Sequence, residues 1–224
     1  MAIYVTGDTH GERGRIVWLD SNEEKLTKDD FVIVCGDFGY LYYNNSEENV
    51  FLNEIEERPY TLCFVDGNHE NFPAIFSYPE EEWNGGKIHR VRKNVIHLMR
   101  GQVFTIEGKK IFTMGGAYSI DREMRRLGIS YWEEELPSDA EYKEASKNLE
   151  KVNNEVDVVL THTAPKEIIY RMMKNPAREE IELSGFLEWV RYDIKFKQWF
   201  FGHWHTDKQV TDKIRALYFD LVKL

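Results

Sequence analysis

The sequence predicts an α/β fold in which two β-sheets are covered by helices, and three observations lead there. Short runs of β-branched and other apolar residues recur along the chain, at Ile3–Thr6, Phe31–Cys35, Thr61–Val65, 156–160 and Gln198–Phe201. Continuous apolar runs of this length suit strands buried on both faces. Helical patterns separate the early runs, as in βαβ units, whereas the middle of the chain reads as short strands joined by turns. No Gly/Ser/Pro-rich linker, internal repeat or low-complexity segment divides the 224 residues. One domain over residues 1–224 is therefore expected.

The elements follow in order. After the strands at Ile3–Thr6 and Phe31–Cys35, Ser46 is the expected N-cap of a helix over 46–58, which Pro59 stops. Beyond Thr61–Val65, strands are expected at Val95–Leu98, 103–106 and 111–114, with Glu107-Gly108-Lys109 as a turn. Segment 117–137 is long for a loop and is a candidate lid, its Glu133-Glu134-Glu135 run leading to the next helix. Ser138 and Glu141 form a capping box, and the helix they open carries Tyr142, Ala145, Leu149 and Val152 on one stripe. Pro165 stands where a helix through Ile168, Ile169, Met172 and Met173 can start. A helix over 186–192 and a hairpin of 208–211 with 214–219, turning at Asp212-Lys213, complete the chain.

Composition narrows the class. Hydrophobic residues at 42% and charged residues at 30% are ordinary for a globular protein, and 14% aromatics fit a large packed core. Cys35 and Cys63 both lie inside strand-like runs, so they are expected to be reduced core thiols. No apolar run reaches the ~18 residues of a membrane span. The first residues form a strand with no basic n-region, so a cytoplasmic location is expected.

Five of the apolar runs end in polar clusters able to bind metal. In order these are Gly7-Asp8-Thr9-His10-Gly11, Gly36-Asp37, Gly67-Asn68-His69-Glu70, Thr161-His162 and Gly202-His203-Trp204-His205. Loops at strand ends converge from distant parts of a chain. Residues two apart in extended backbone point to one side, so Asp8 with His10, and His203 with His205, can each grip a cation together. Trp204 between them is expected to turn away into packing. One Asp-x-His is a weak signal, but five such clusters in this order form a strong one. Imidazole and carboxylate donors favour Mn, Fe, Zn or Ni over Ca or Mg, and the absence of thiolate argues against a structural zinc site. His89 and His97 lie outside these motifs and read as surface or strand residues.

This series of motifs resembles the calcineurin-like metallophosphoesterase superfamily, over nearly the whole chain from Asp8 to His205. The resemblance implies a four-layer α/β/β/α sandwich, two mixed β-sheets flanked by helices, with the site at the C-terminal ends of strands. It implies hydrolysis of a phosphodiester or small phosphomonoester by a water activated by two divalent metal ions. By the same resemblance Asp8, His10 and His205 hold the first metal, Asp37 bridges both, and Asn68, His162 and His203 complete the second. His69 is then the catalytic residue, as general acid or as a donor stabilising the transferring phosphoryl group.

The net charge of −10 disfavours free nucleic-acid binding, so nucleic acid is a partner only as substrate. Two cations would nevertheless make the site locally cationic. Two departures argue against a Ser/Thr protein phosphatase. Tyr40 stands where those enzymes carry the Asp of Gly-Asp-x-x-Asp-Arg-Gly, and Asp66 stands where they carry Arg before Gly-Asn-His-Glu. The phosphate clamp is thereby left unassigned. Arg122, soon followed by Arg125 and Arg126, and Tyr40 are the substrate-binding candidates. The basic run His89-Arg90-Val91-Arg92-Lys93 reads as a solvated face. A catalytically silent interaction scaffold is the remaining alternative, weakened because every expected ligand is present.

Overall fold

The structure is a computed structural model that describes residues 1–21 and 25–224. Its helices are α1 (Arg13–Asp20), α2 (Ser46–Glu56), α3 (Phe72–Phe76), α4 (Asp139–Lys151), α5 (Lys166–Arg171) and α6 (Ile181–Asp193). The early strands are β1 (Ile3–Thr6), β2 (Phe31–Cys35), β3 (Thr61–Val65), β4 (Glu80–Trp83), β5 (Gly86–Arg92) and β6 (Val95–Leu98). The later ones are β7 (Gln102–Ile106), β8 (Lys109–Met114), β9 (Val158–Thr161), β10 (Gln198–Phe201), β11 (Lys208–Gln209), β12 (Ile214–Ala216) and β13 (Val222–Lys223).

One sheet runs β13-β1-β2-β3-β6-β5-β4 and the other β11-β12-β10-β9-β8-β7. Each has a parallel centre, β1-β2-β3-β6 and β12-β10-β9-β8, with antiparallel strands outside. Pleating explains why the strand runs are apolar throughout. Ile3, Val5, Ile33 and Val65 face the second sheet and pack with Ile111, Leu160 and Phe200. The alternate residues Tyr4, Val32, Val34 and Phe64 face α1, α2 and α3, meeting Ile16, Leu52 and Ile75. On the far side Phe112, Val159 and Trp199 pack against α4, α5 and α6. The layers are α/β/β/α, as anticipated, and the central parallel strands are buried on both faces. Because the central strands are parallel, β1, β2 and β3 end on one edge, and β9 and β10 end beside one another.

The local departures have simple causes. The N-cap of α2 is Asn45, not Ser46; the Asn45 side chain accepts from Glu48 N at 2.9 Å, and the helix ends at Glu56. Asn caps as well as Ser does, so adjacent candidates are not separable by residue type. The Ser138–Glu141 capping box forms, with Ser138 N donating to the Glu141 carboxylate at 2.7 Å. Pro165 caps α5 rather than entering it, and α6 starts at Ile181, ahead of the expected 186. The C-terminal hairpin is the shorter pair β11–β12. The middle strands divide, β6 in one sheet and β7 and β8 in the other.

Strands β4 and β5 were masked by charge. The 89–93 run is not a solvated face. Arg90 pairs with Glu81 across the hairpin at 2.8 Å, and Arg92 reaches Asn53 and Asn49 at 2.8 and 2.9 Å. His89 and His97 are buried and stacked, with ring centroids 5.3 Å apart. Cys35 and Cys63 are unpaired and buried, and burial pushes both thiols well above their usual pKa. No helix among the described residues is long and apolar enough to cross a membrane.

Asp66, just past β3, anchors a buried ion pair. Arg100 donates to one Asp66 oxygen through Nε and Nη2 at 2.7 and 2.5 Å, and His97 Nε2 donates to the other at 3.1 Å. Burial opposes the charge, but Arg100 and His97 outweigh it and hold the Asp66 carboxyl well below the usual range. Arg100→Ala leaves that carboxylate buried without its cationic partner, and the expected loss of stability in urea unfolding is about 3–5 kcal/mol. A depressed carboxyl stabilises the fold above its unfolded pKa of about 4, and this contribution is lost as pH falls toward the folded value. Asp66→Asn is accordingly expected to flatten the acid side of the stability–pH curve; an unchanged slope refutes the assignment.

Candidate metal centre

The five motif loops meet at the C-terminal ends of β1, β2, β3, β9 and β10. Donor atoms of Asp8, His10, Asp37 and His205 all lie within 4.8 Å of one another. His205 Nε2 is 3.1 Å from Asp8 Oδ2 and 2.9 Å from His10 Nε2, which is 3.7 Å from Asp37 Oδ2. A second group adjoins the first. Asn68 Oδ1 is 3.0 Å from both His162 Nε2 and His203 Nδ1, and His162 Nε2 is 3.3 Å from Asp37 Oδ1. One carboxylate, Asp37, thus turns an oxygen to each group.

Backbone conformation brings these side chains in. His10, Asp37, His203 and His205 all have left-handed φ, between 46° and 64°. Such non-glycine residues carry roughly 1–2 kcal/mol of strain each, a concentration typical of functional sites. The loops are stitched together, since Thr9 N and His10 N both donate to Asp37 O, at 3.1 and 2.7 Å. Two glycines make room for the carboxylates. A Cβ on Gly67 would meet Asp37 Oδ1 at 2.1 Å, and one on Gly202 would meet Asp8 Oδ1 at the same distance.

Surrounding groups set the orientation of the donors. His162 Nδ1 donates to Cys35 O at 2.8 Å, which leaves Nε2 to face Asp37 and Asn68. Asn68 Nδ2 donates to Ser119 Oγ at 3.0 Å, which turns its carbonyl oxygen inward. Asp8 accepts from His203 N at 2.9 Å, and Asp37 accepts from His69 N at 2.8 Å. Such fixed tautomers and amide orientations are the usual support of metal ligands.

The electrostatics suit a cation. Burial opposes the Asp37 charge, but His162 outweighs it and holds the carboxyl far below its usual value. Burial likewise opposes a charged His162, yet Asp37 and Asp8 push it up to about 10. The buried carboxylates therefore demand positive charge, which a proton on His162 meets in the absence of a metal and which metal binding would displace. Burial and the neighbouring His162 push His203 down to about 3, so that ring is a neutral donor. Two carboxylates, four imidazoles and one amide oxygen form a donor set that fits transition-metal cations.

The calcineurin-like phosphoesterase family matches residues 1–207 of the chain. The chain belongs to that family. The family is one of phosphoesterases and depends on divalent metal. A search of curated proteins found no significant match. Among solved structures the chain resembles one from Staphylococcus aureus, provisionally described as a 5′-nucleotidase in complex with α-ketoglutarate. The TM-score is 0.51 at 14% identity, over 97% of this chain but only 48% of the other. The chain thus spans about half of that protein, and the likeness speaks to the fold.

The structure draws together all seven ligand candidates and His69, whose ring lies 5.3 Å from that of His10. It does not bring in the two substrate-binding candidates. Tyr40 is a correction: it is 2% exposed, it packs on Phe38 and Phe51, and its hydroxyl donates to Glu12 O at 2.8 Å. Arg122 is held away as well, because Nε and Nη2 bond Glu135 at 3.1 and 2.8 Å and its guanidinium lies over Tyr118. Glu135 is itself buried, not part of a solvated acidic run. Trp204 does not turn fully away: it packs on the core beside α6 and also lines the cavity at the site.

That cavity measures about 500 Å³ and is walled by Asn68, His69, Tyr118, Lys174, Trp204 and His205 among others. A smaller one of about 250 Å³ also borders His69, lined by His10, Gly39, Tyr42 and Tyr43. Two further residues lie at the site: Ser119, to which sequence reasoning assigned no role, and Arg125, which it offered only as a neighbour of Arg122. Ser119 orients Asn68, and Arg125 Nη2 lies 2.9 and 3.0 Å from the two ring nitrogens of His69. Both sit in segment 117–137, where their only sequence signal was proximity to a Gly-Gly turn and a charge run.

Proposed function

We propose that two divalent cations bind between these donor groups and that the chain hydrolyses a phosphodiester or a small phosphomonoester. The observation that carries this reading is Asp37, whose two oxygens face two separate sets of donors. A bridging carboxylate of this kind suits cations ~3.5–4 Å apart. Asp8, His10 and His205 would hold one, and Asn68, His162 and His203 the other, with Mn the first metal to test among Mn, Fe, Zn and Ni. A bound pair supplies an activated water and neutralises charge on the phosphate.

The chain's own residues do the rest. Burial pulls His69 below its ordinary pKa, so at neutral pH the ring offers a single N–H to the leaving oxygen. Glu70 accepts from Phe38 N and Gly67 N, at 2.7 and 3.3 Å, bracing the loops of Asp37 and Asn68 against each other. Two cavities bordered by His69 give room for two substituents on a phosphate, which supports a diester. The shared core between the sheets supports one domain over residues 1–224. Buried, unpaired thiols suit a reducing compartment, and the cytoplasm is the proposed location.

The test is hydrolysis by purified protein loaded with Mn. Bis-p-nitrophenyl phosphate, p-nitrophenyl phosphate, a 5′-mononucleotide and a phosphopeptide are compared, and bound metal is counted by mass spectrometry. Turnover of the diester or a small monoester is expected, abolished by chelator and restored by Mn, with two metals per chain. Preference for the phosphopeptide points instead to a protein phosphatase. Bound metal with no turnover of any substrate points to a scaffold.

A further inference from the structure

We infer that Arg125, carried on the 117–137 segment, is the phosphate clamp of this site, binding a non-bridging oxygen of the substrate phosphate beside His69. The inference rests on the hydrolytic reading above and assigns the group that the Gly67-Asn68-His69 loop does not supply.

Among Arg100 and the arginines of the segment, geometry leads to Arg125. At the position before Gly67 stands Asp66, an acid that binds Arg100 instead of phosphate. Arg100 is 5% exposed, with its fork on Asp66 and Glu134 O, so it is sealed within the fold. Of the three arginines in the segment, Arg122 is bound to Glu135 through two nitrogens. Arg126 bonds into its own turn through the backbone, its N donating to Ser130 Oγ at 2.9 Å. Arg125 alone of the three is recorded with its guanidinium against the catalytic histidine.

Its guanidinium is held at one end and presented at the other. Nε donates to Asp121 at 2.8 Å and Nη1 to Ser130 O at 3.1 Å. Nη2 lies beside the His69 ring, and Asp121 and His69 both line the 500 Å³ cavity. A fixed guanidinium beside a cation-binding centre gathers positive charge at one point. Among the described residues one carboxylate, Asp121, is paired with it. A phosphate dianion or monoanion completes that balance, and Nη2, the nitrogen bonded to neither Asp121 nor Ser130, is the one placed to meet its oxygen.

The segment is also held in place well enough to position a clamp. Arg100 Nη2 donates to Glu134 O at 2.7 Å, Tyr42 Oη to Ser130 O at 2.8 Å, and Ser119 N to the Glu135 carboxylate at 3.1 Å. The Arg100 link is the same buried pair that ends β3. The loop that offers Asn68 and His69 therefore also anchors the segment that carries Arg125.

The test uses Mn-loaded wild type, Arg125→Ala and Arg125→Lys, each checked for metal content and melting temperature. Inorganic phosphate binding is measured by calorimetry, and kcat/KM with bis-p-nitrophenyl phosphate. Arg125→Ala is expected to weaken phosphate binding and lower kcat/KM by about 10- to 100-fold each, with metal content unchanged. Arg125→Lys, which keeps the charge and loses the fork, is expected to recover part of both. Unchanged phosphate affinity in Arg125→Ala overturns the inference, whatever happens to turnover, because a residue that merely packs the segment has no reason to bind phosphate. No measurable phosphate binding by the wild type overturns it equally. A wild type that binds phosphate but turns over no ester sinks the hydrolytic reading and leaves the binding comparison to decide Arg125.

Discussion

Asp37→Asn is expected to lower kcat/KM by about 10³-fold or more and to reduce bound metal below two per chain, since losing a cation forfeits several kcal/mol of transition-state stabilisation. The reason is geometric. Asp37 turns one oxygen toward each donor group, and its charge is what the buried imidazoles answer. Asparagine keeps an oxygen that can accept from His69 N, so the loop should survive while the charge is lost. Circular dichroism and thermal melting check that survival. Gly67→Ala supplies a second, indirect route, because its Cβ would strike Asp37 Oδ1 from behind. An Asp37→Asn protein that keeps two metals and a tenth of wild-type turnover would remove Asp37 from the bridging position.

Replacing His69 by glutamine or alanine should act differently. The expected loss is about 10²–10⁴ in kcat, with both metals retained, because His69 helps the leaving group and is not one of the clustered donors. The loss should also depend on the leaving group. p-Nitrophenolate departs without much assistance, whereas an alkoxide needs a proton or a strong hydrogen bond, so the deficit should be larger for an alkyl ester. A deficit that is the same for both esters, or one accompanied by metal loss, would reassign His69 to a structural or ligand role.

Much of the molecule was legible before any coordinates, and the particular residues show why. The core strands announced themselves because a strand buried on two faces must be apolar at every position, as Val32, Ile33 and Val34 are. The helix at Asp139–Lys151 was marked by its capping box, a purely local signal. Strands β4 and β5 were not, because Glu80, Glu82, Arg90 and Arg92 lie on an outer hairpin whose charges pair with partners remote in sequence or across the turn. Strand β13 has two residues and exists through its pairing with β1.

The site divides in the same way. Asp8, His10, Asp37, Asn68, His162, His203 and His205 could be named from the sequence because each follows directly from a strand end, and the spacing between a strand and the residue after it is fixed by the backbone. The chemistry of those donors, carboxylate and imidazole without thiolate, follows from residue type alone. What only the tertiary structure decided is which charged groups outside the motifs reach the site. Asp66 turned out to bind Arg100, Tyr40 to fill the core and Arg122 to bind Glu135, while Arg125 came to rest on His69. These are long side chains on irregular backbone, or polar groups whose partners lie up to dozens of residues away. Their direction is set by packing and charge pairing across the fold, and neither quantity is periodic along the chain.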